Sequence, residues 1–564
     1  MKPLFLLTLA FAASAAAPTT AIKVDQIGYP VDAPKFAFVV SDKPSGEFVV
    51  RAAPGGNETF KGKLSAPSKD ANSGDLVQAA DFSALTRAGR YYLDIPGVGV
   101  SWEFSIAPNV YSRAYYLAMR SFYGQRCGIA VDLGPEFPGY KHEACHLTGA
   151  WHASSGKSGP RASAGGWHDA GDYGRYVVNS GITTGTLLWA YELFGAKIAN
   201  TKLNIPESGN GTPDILNEIR WNLDWMLSMQ DSDGGAWHKQ TTERFGGFVM
   251  PEKETAISYV IGTGEEPFKS SCATGDFAAV TAIAARVYKP FDADYAAKCL
   301  RAARQAWAWL DKHPNVLFRN PQGVATGEYG DRNCSDERLW AAAELYRTSG
   351  DEAFHKYFLD NYAAFQSNIR AAGPQGWPNV APLALWTYVL GKKGGNAEAV
   401  SAIREGSLRA ADEIVARTAA NGYRISMTER DYAWGSNSGA ANYGMQLLVA
   451  NALRPDKRYY HAALENLHYL LGRNTLSISW VTQVGANAFK NPHHRPSGAD
   501  NLPEPWPGLL SGGPNRSKQD PAMKKMPDLP PAKMYLDEQA SYASNEVAIN
   551  WNAPLVFLLA GALP

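Results

Sequence analysis

The chain has 564 residues, of which 45% are hydrophobic, so it can bury a large core and divide into more than one domain. Its 54 basic and 54 acidic side chains balance, which excludes the strongly basic surface typical of proteins that bind nucleic acid or anionic membranes. We therefore expect a monomer with a neutral or polar partner, and with neither nucleic-acid nor membrane partners.

Residues 1–17 are predicted to form a secretory signal peptide. One lysine precedes a short apolar run from Leu4 to Ala12, and small residues follow up to Ala17 in an Ala-x-Ala pattern. The apolar run is too short to cross a bilayer, which takes about 20 residues. We expect an exported protein, either secreted or periplasmic.

Export favours disulfides, and the chain has five cysteines, an odd number that cannot all pair. Cys127 and Cys145 stand apart from the other three, and His146 directly follows Cys145. The residues alone leave two interpretations of this pair open, a metal site and a disulfide.

Residues 22–106 are predicted to form an all-β sandwich. Short apolar or alternating runs, "FAFVV", "GEFVVRAA", "GRYYLDI" and "SWEFSI", are separated by turns rich in Pro, Gly, Asp and Asn. Strands at this spacing are typical of a small sandwich. No exposed aromatic row is legible in it, so we expect this module to support its neighbour rather than to bind a ligand.

Residues 110–564 are predicted to be helical, because segments of helical period dominate from there on. "TPDILNEIRW" shows an N-cap at Thr212, and "SDERLWAAAELYRTSG" shows one at Ser335 with a stop at Gly350. Further helices are predicted over residues 111–123, 178–195, 275–288, 293–311, 352–368, 380–391, 396–418 and 440–452. No regular repeat is found, which favours a closed helical barrel over an elongated array.

The stretch "GGWHDAGDYGRY" places Asp169 and Asp172 three residues apart in a glycine-containing turn. Such a turn could bind a metal, transfer protons, or merely cap a helix that begins near Tyr173. The two carboxylates are close enough to hold one water molecule together.

Several motifs are similar to those of glycoside hydrolase family 9: "GGWHDAGDYGRY", "DERLWAAAELY", "YLLGRN", "NPHHR", "PGLLSGGPN" and "SYASNEVAINWNAPLVFLLA". The early "VDQIGYP" resembles the immunoglobulin-like module that precedes many of its catalytic domains. The resemblance implies a multidomain protein, an all-β immunoglobulin-like sandwich followed by an all-α (α/α)6 barrel. It also implies hydrolysis of β-1,4-glucans with inversion at the anomeric carbon.

Inversion needs one carboxylate that takes a proton from water and one carboxylic acid that protonates the leaving oxygen, roughly 6.5–9.5 Å apart. The resemblance makes Asp172 the base, Asp169 a second aspartate that orients the water, and Glu546 of "SNEVAINW" the acid. Val547 and Ile549 flank Glu546, and an apolar setting of this kind raises the pKa of a carboxyl group.

Candidate substrate-binding residues lie on loops. His493 and Arg495 of "NPHHRPSG" match the family's substrate-binding pair, and proline at either side keeps this stretch out of a long helix. Four aromatic or imidazole side chains are weaker candidates for stacking or hydrogen bonding, each equally compatible with packing: Tyr432, Trp434, Trp237 and His238.

The resemblance also implies two kinds of structural metal. Family members with the immunoglobulin-like module show a Cys, Cys-His, His pattern, which here gives Cys127, Cys145, His146 and His168 as ligands of zinc, with His142 as a possible substitute. Two thiolates and two imidazoles are a common closed zinc set. Such a zinc would hold the turn of Asp169 and not activate water.

Calcium is predicted at "PESGNGTPD", where Glu207, Asn210 and Asp214 offer hard oxygen ligands at short spacing. A capped loop without metal is the alternative. A second family site uses the "DER" aspartate, here Asp336, but Asn379 replaces the aspartate expected as its partner.

We therefore expect an endo-β-1,4-glucanase. The alternative is an exo-acting relative, namely a cellodextrinase, a β-glucosidase or an exo-glucosaminidase. Asp25 stands where the family commonly carries Asn, and Trp480 where Tyr is usual. Neither departure touches the proton-transfer residues, and both leave endo and exo action open. A protein that only binds sugar is disfavoured by the intact set of carboxylates, and a metallohydrolase using His168 and Asp169 is a further alternative.

Overall fold

The computed structural model of the protein describes residues 17–41, 46–391 and 395–564. Apart from Ala17, the predicted signal peptide lies outside the described residues. Among the helices of the described ranges, none is both long and apolar enough to cross a membrane.

Ten strands precede the first helix in the described part of the chain. They are β1 (Ile22–Lys23), β2 (Gly28–Tyr29), β3 (Phe36–Val40), β4 (Glu47–Ala52), β5 (Glu58–Lys63), β6 (Ser68–Lys69), β7 (Leu76–Asp81), β8 (Gly89–Ile95), β9 (Gly99–Val100) and β10 (Phe104–Ile106). The four runs read as strands from the sequence all contain a strand. One sheet has the order β1-β3-β7-β6, and the other has the order β2-β10-β8-β4-β5 with β9 paired to β8.

The two sheets enclose a core of their own. Val50 of β4 pairs in register with Leu93 of β8, and both side chains are fully buried with Phe48 and Ile95. Alternate residues of a strand point to opposite faces, so this spacing gives each strand one buried face. This alternation therefore explains why the two sheets pack face to face as an immunoglobulin-like sandwich.

Polar contacts attach the β module to the helical region. The backbone N–H of Gln26 donates to Leu471 O at 2.9 Å, and Lys23 Nζ donates to Thr475 O at 2.7 Å. In the connection between β6 and β7, Asp75 Oδ2 accepts hydrogen bonds from the hydroxyls of Tyr423 and Thr475, each at 2.6 Å. These contacts fit a supporting role for the module.

Asp25 lies in this interface, wholly buried. Its Oδ2 lies 2.8 Å from His468 Nδ1 and 3.2 Å from the Tyr111 hydroxyl, while Oδ1 accepts from the backbone N–H groups of Ile27 and Gly28. Burial raises the pKa of Asp25 to about 8. Burial also holds the pKa of His468 well below its usual range.

Asp25→Asn is expected to flatten the pH dependence of stability between about pH 4 and 8. A carboxyl group whose folded pKa is raised destabilises the fold as pH rises from its unfolded to its folded value, by at most about 1.4 kcal/mol per pH unit. Asn retains an oxygen for His468 and cannot ionise. Urea unfolding at pH 5, 6.5 and 8 checks this, and unchanged slopes in the variant would contradict it.

Fourteen helices follow in the described residues. They are α1 (Ser112–Gly124), α2 (Val177–Ile198), α3 (Asp214–Ser228), α4 (Ser271–Val287), α5 (Ala293–Lys312), α6 (Ser335–Ser349), α7 (Glu352–Asn361), α8 (Ala381–Leu390), α9 (Ala397–Ala420), α10 (Ser436–Leu453), α11 (Lys457–Leu470), α12 (Arg495–Ala499), α13 (Tyr542–Asn545) and α14 (Ile549–Ala562). Seven short strands lie between the first helices: β11 (Val131–Asp132), β12 (Lys141–His142), β13 (Thr148–Trp151), β14 (Pro160–Ala162), β15 (Arg175–Tyr176), β16 (Lys239–Thr241) and β17 (Ser258–Ile261).

The long helices alternate between two kinds. The helices α2, α4, α6, α8, α10 and α14 are buried along most of their length. The helices α5, α7 and α9 have one buried face and one exposed face, whereas α11 is exposed only at its first two residues. Helix α4 packs on α2 and α6, α6 packs on α8, and α14 packs on α2 and α10. A helix that is apolar all round needs neighbours on every side, so the buried helices lie inside.

Three helix predictions need correction. The segment 352–368 is not one helix, because α7 ends at Asn361 and a 3₁₀ segment, Tyr362–Asn368, follows it. The N-cap of α3 is Pro213 rather than Thr212, and that of α6 is Cys334 rather than Ser335. Helix α14 was not among the predicted segments, since it is apolar on all sides and contains Pro554.

A disulfide between Cys272 and Cys334 joins the first turn of α4 to the N-cap of α6, with an S–S distance of 2.08 Å. Cysteine spacing gave no sign of this pair, because 62 residues separate them. Cys127, Cys145 and Cys299 are buried free thiols.

Candidate active site

A cavity of about 860 Å³ opens beside the turn that precedes α2. Acidic, basic and aromatic side chains line it together. Its walls include Asp169, Asp172, Tyr176, Phe245, Phe248, Glu328, Tyr329, Trp377, Trp434, His493, Arg495, Tyr542, Glu546, Asn550 and Trp551. The three predicted catalytic carboxyl groups therefore meet at one cavity, although 377 residues separate Asp169 from Glu546 in the sequence.

Asp169 is held by two side-chain donors. Asn179, in the first turn of α2, donates to Oδ1, and the Tyr329 hydroxyl donates to Oδ2 at 2.7 Å. Burial and then the charge of Asp172 raise the pKa of Asp169 to about 8. Sequence reasoning missed both donors, and only Asn179, ten residues away, lies near enough in the chain to give a signal.

Asp172 is only partly satisfied by the protein. Its Oδ2 accepts from Gly174 N at 2.9 Å and lies 3.4 Å from the Tyr176 hydroxyl. The bond to Gly174 is the aspartate-capped turn that the sequence allowed, but the helix begins only at Val177, after β15. Asp172 thus both shapes the turn and lines the cavity.

Glu546 lies immediately after α13, where the backbone is extended with φ −69° and ψ 162°. Its carbonyl accepts from Gly512 N at 2.7 Å. Three residues later, Ile549 N donates to Asp169 O at 2.8 Å, so the backbone connects the acid segment directly to the aspartate turn. Burial, followed by the charges of Asp172 and Asp169, raises the pKa of Glu546 well above its usual range.

Arg495 and His493 lie on the other side of the turn. The Arg495 backbone N and Nη1 both donate to Gly171 O, at 3.0 and 2.8 Å, and Nη2 donates to Gly246 O at 2.9 Å. His493 Nδ1 lies 2.6 Å from Gln539 O. Since a carbonyl only accepts, Nδ1 carries the proton and Nε2 of the neutral ring is free to accept.

Of the predicted aromatic candidates Trp434 and Tyr432, the first lines the cavity and the second does not. Trp434 lines the cavity with 42% of its surface exposed. Tyr432 is 2% exposed and is not in the cavity wall. Sequence reasoning missed Trp377, Tyr542 and Trp551 in the wall, because a single tryptophan or tyrosine is more often packing than binding.

Trp237 and His238 are packing residues, so their prediction as substrate contacts is wrong. Trp237 Nε1 donates to Ser155 O at 3.1 Å. The ring of His238 is stacked on Phe318 with centroids 3.7 Å apart, and its Nε2 lies 2.8 Å from Glu328 O. Neither side chain is in the cavity wall, and both are buried.

Cys127, Cys145, His146 and His168 converge, with one ligand atom of each within 4.8 Å of the others. Within the described residues, His146 Nδ1 is buried and has no hydrogen-bond partner, while its Nε2 lies 3.0 Å from a Glu254 carboxylate oxygen. A histidine that binds a metal through one nitrogen commonly donates its other N–H to a carboxylate. The donor set and this second contact fit zinc.

The structure supports neither of the two alternatives to this ligand set. The thiols of Cys127 and Cys145 do not form the disulfide that the sequence left open. His142, the substitute ligand, is outside the cluster, with Nδ1 2.8 Å from Glu143 O.

The predicted calcium ligands are engaged elsewhere. Glu207 forms a two-point ion pair with Arg126, at 2.9 and 3.0 Å. Asp214 Oδ2 accepts from Leu203 N at 2.7 Å and from Ser208 Oγ at 2.5 Å. These side chains hold the loop through hydrogen bonds and an ion pair, and calcium binding by Glu207, Asn210 and Asp214 stays a prediction.

Residues 111–559 match the family model for glycosyl hydrolase family 9, and residues 17–100 match that for the cellulase N-terminal ig-like domain. Endoglucanase D of Acetivibrio thermocellus is 41% identical over 496 residues, which cover 87% of this chain and 76% of that protein. Cellodextrinase of Butyrivibrio fibrisolvens is 38% identical over 565 residues, which cover 96% of this chain and 99% of that protein.

A solved structure, described as a Zn-binding triple mutant of the family 9 endoglucanase J30, superposes with a TM-score of 0.87 at 34% identity. The match covers 95% of this chain and 99% of that one. With a family model over most of the chain and relatives above 30% identity along nearly its whole length, the chain belongs to glycosyl hydrolase family 9, with a cellulase N-terminal ig-like domain before the family 9 region.

Proposed function

We propose that the protein is an endo-β-1,4-glucanase that hydrolyses cellulose or related β-glucans with inversion at the anomeric carbon. The observation that carries the proposal is the meeting of Asp169, Asp172 and Glu546 at one cavity lined by aromatic side chains. The similarity to proteins named endoglucanase and cellodextrinase supports β-1,4-glucans as the substrate class.

In the proposed reaction, Asp172 takes a proton from a water molecule whose oxygen bonds to the anomeric carbon. The bond between that carbon and the glycosidic oxygen breaks, and Glu546 gives its proton to the departing oxygen. Asp169 orients the same water, and the Asn179 and Tyr329 donors keep its carboxylate turned toward it. Burial favours the protonated form of Glu546, which an acid needs.

His493 and Arg495 serve as hydrogen-bonding groups for sugar hydroxyls, and Trp434 as a stacking face. Aromatic faces suit the C–H faces of a pyranose, and the exposure of Trp434 at the cavity supports this role. The second candidate function is an exo-acting cellodextrinase, which the relative matching over 99% of its own length favours.

Two measurements on one preparation test the function. Carboxymethyl cellulose should lose viscosity much faster than reducing ends accumulate, because internal cuts shorten chains abruptly. Release of short products without loss of viscosity would favour the exo-acting alternative. Proton NMR of the first product formed from cellohexaose should show the α-anomer at the new reducing end, and the β-anomer would exclude inversion.

The six buried helices and their neighbours support the (α/α)6 barrel as the architecture of residues 110–564, after a sandwich of residues 22–106. Export through removal of residues 1–17 and a monomeric state are parts of the same proposal. N-terminal sequencing of the mature protein and light scattering test them.

A structural zinc held by Cys127, Cys145, His146 and His168 completes the proposal. The converging ligand atoms and the unpaired His146 Nδ1 support it, as does the zinc-binding relative. When bound, zinc would supply cross-linking of the segments that carry these residues, with no role in the reaction itself.

A further inference from the structure

Lys239 is a fully buried lysine behind the cavity wall. It lies in β16, directly opposite Tyr176 of β15, and its side chain has no exposed surface. Burying an ammonium group is costly unless hydrogen bonds replace its hydration. Burial lowers the pKa of Lys239 to about 7, so the protein keeps this group at an energetic cost.

Four neutral oxygens of three residues surround the ammonium group. Lys239 Nζ donates to Asn320 Oδ1 at 2.6 Å, to Gly327 O at 2.8 Å, and to Thr326 Oγ1 and O at 3.1 and 3.4 Å. Two of these partners belong to the loop 326–329. The lysine therefore fixes the start of a loop that forms part of the cavity wall.

The same loop delivers a hydroxyl to the aspartate pair. Tyr329 donates to Asp169 Oδ2 at 2.7 Å, and its φ is +44°. A bulky residue with positive φ is strained and persists only where surrounding contacts hold it. The bonds from Lys239 to Thr326 and Gly327 are such contacts, two and three residues away.

Lys239 also brings positive charge to the Asp172 side. Tyr176 touches both groups, since its ring centre lies 5.6 Å from Nζ and its hydroxyl lies 3.4 Å from Asp172 Oδ2. The carboxylates of Asp172 and Glu328 favour the charged form of Lys239, and His238 precedes it in the chain. Attraction between the ammonium group and the Asp172 carboxylate is mutual, so Lys239 supplies positive charge to the aspartate pair.

We propose that Lys239 is a positioning residue for the aspartate pair: its ammonium holds the loop 326–329 so that the Tyr329 hydroxyl stays on Asp169, and it places a buried positive charge near Asp172. This inference rests on the proposed roles of Asp169 and Asp172. It adds a residue that touches neither water nor sugar.

Lys239→Met and Lys239→Gln test it. Met removes both the donors and the charge, while Gln keeps a donor for Gly327 O without the charge. For Met we expect kcat to fall about 10- to 100-fold with KM changed less than about threefold, because a displaced supporting group acts on the chemical step. The Gln variant should lose less of its kcat than the Met variant. If the Met variant fails to fold, the Gln variant provides the same measurements of kcat and KM.

The contrast between kcat and stability separates positioning from a general loss of stability. A displaced supporting group acts on the chemical step, so kcat should fall in both variants under conditions where urea unfolding shows that they are fully folded. Lys269→Met is the matched control, because that buried lysine lies over Trp237 and pairs with Asp231 and Asp233, away from the loop 326–329. The Lys269→Met variant should leave kcat unchanged.

A double-mutant cycle with Tyr329→Phe tests whether Lys239 acts through the Tyr329 hydroxyl. If Lys239 acts through Tyr329, adding Lys239→Met to Tyr329→Phe should lower kcat by much less than it does alone. Unchanged kcat in folded Lys239 variants, or fully additive losses in the double variant, would overturn the inference. Activity retained in Asp172→Asn would instead overturn the proposed function, so the two failures are distinguishable.

Discussion

Glu546→Gln is expected to lower kcat on β-1,4-glucan about 10³-fold, within the range for loss of a general acid. The glutamine cannot supply the proton that an alcohol leaving group requires. With 2,4-dinitrophenyl β-cellobioside, whose leaving group needs no proton, the variant should stay within about tenfold of the wild type. Comparing the two substrates at saturating concentration makes the measurement.

Asp172→Asn is the control, since loss of the base should abolish turnover of both substrates. If Glu546→Gln lowered both rates equally, Glu546 would not be the acid. The pH profile gives a second readout. The acid works in its protonated form, so wild-type activity is lost as pH rises through the pKa of Glu546, which burial holds well above its usual range. With the aryl substrate, the variant should lack this alkaline limb.

The stability of Glu546→Gln separates catalysis from folding. A buried carboxyl with a raised folded pKa destabilises the fold above its unfolded pKa, since unfolding lets it ionise. The amide cannot ionise, so at pH 7 the variant should unfold at the same or a higher denaturant concentration than the wild type. A large loss of stability would show that the activity change had a structural cause.

Cys145→Ser is expected to remove bound zinc and to lower the free energy of unfolding by more than about 4 kcal/mol, because metal binding energy contributes directly to folding. The purified wild type should contain one zinc per chain by mass spectrometry of the metal. Loss of this zinc frees the segment of His168, next to Asp169, so kcat should fall as well.

Cys299→Ser provides the matched control. Cys299 is also a buried free thiol, but it lies in α5, outside the four-residue cluster. This variant should keep one zinc per chain. Zinc retained in Cys145→Ser, or a wild type without zinc, would contradict the assignment. Activity lost on chelation while the protein stays folded would favour a catalytic metal instead.

Local patterns in the sequence predicted much of the architecture. The apolar run Phe36–Val40 and the alternation along Gly89–Ile95 predicted strands of a sandwich, because successive side chains of a strand point to opposite faces. Amphipathic segments predicted helices such as α5 and α9. Helix α14 has no polar face, so no helical period of apolar residues marked it in the sequence. The observed N-cap of α3 lies one residue after the predicted position, and that of α6 lies one residue before it.

The sequence by itself determined the chemistry available: three carboxyl groups, the His493 and Arg495 loop and a two-cysteine, two-histidine set, each in a recognisable local motif. Only the tertiary structure decided which groups meet. It brought Glu546 to Asp169 and added Asn179 and Tyr329. It placed Trp237, His238 and Tyr432 outside the cavity wall, and paired Cys272 with Cys334. The reason is physical, because burial and contacts between distant segments depend on how the helices pack, whereas a motif records only its own neighbours in the chain.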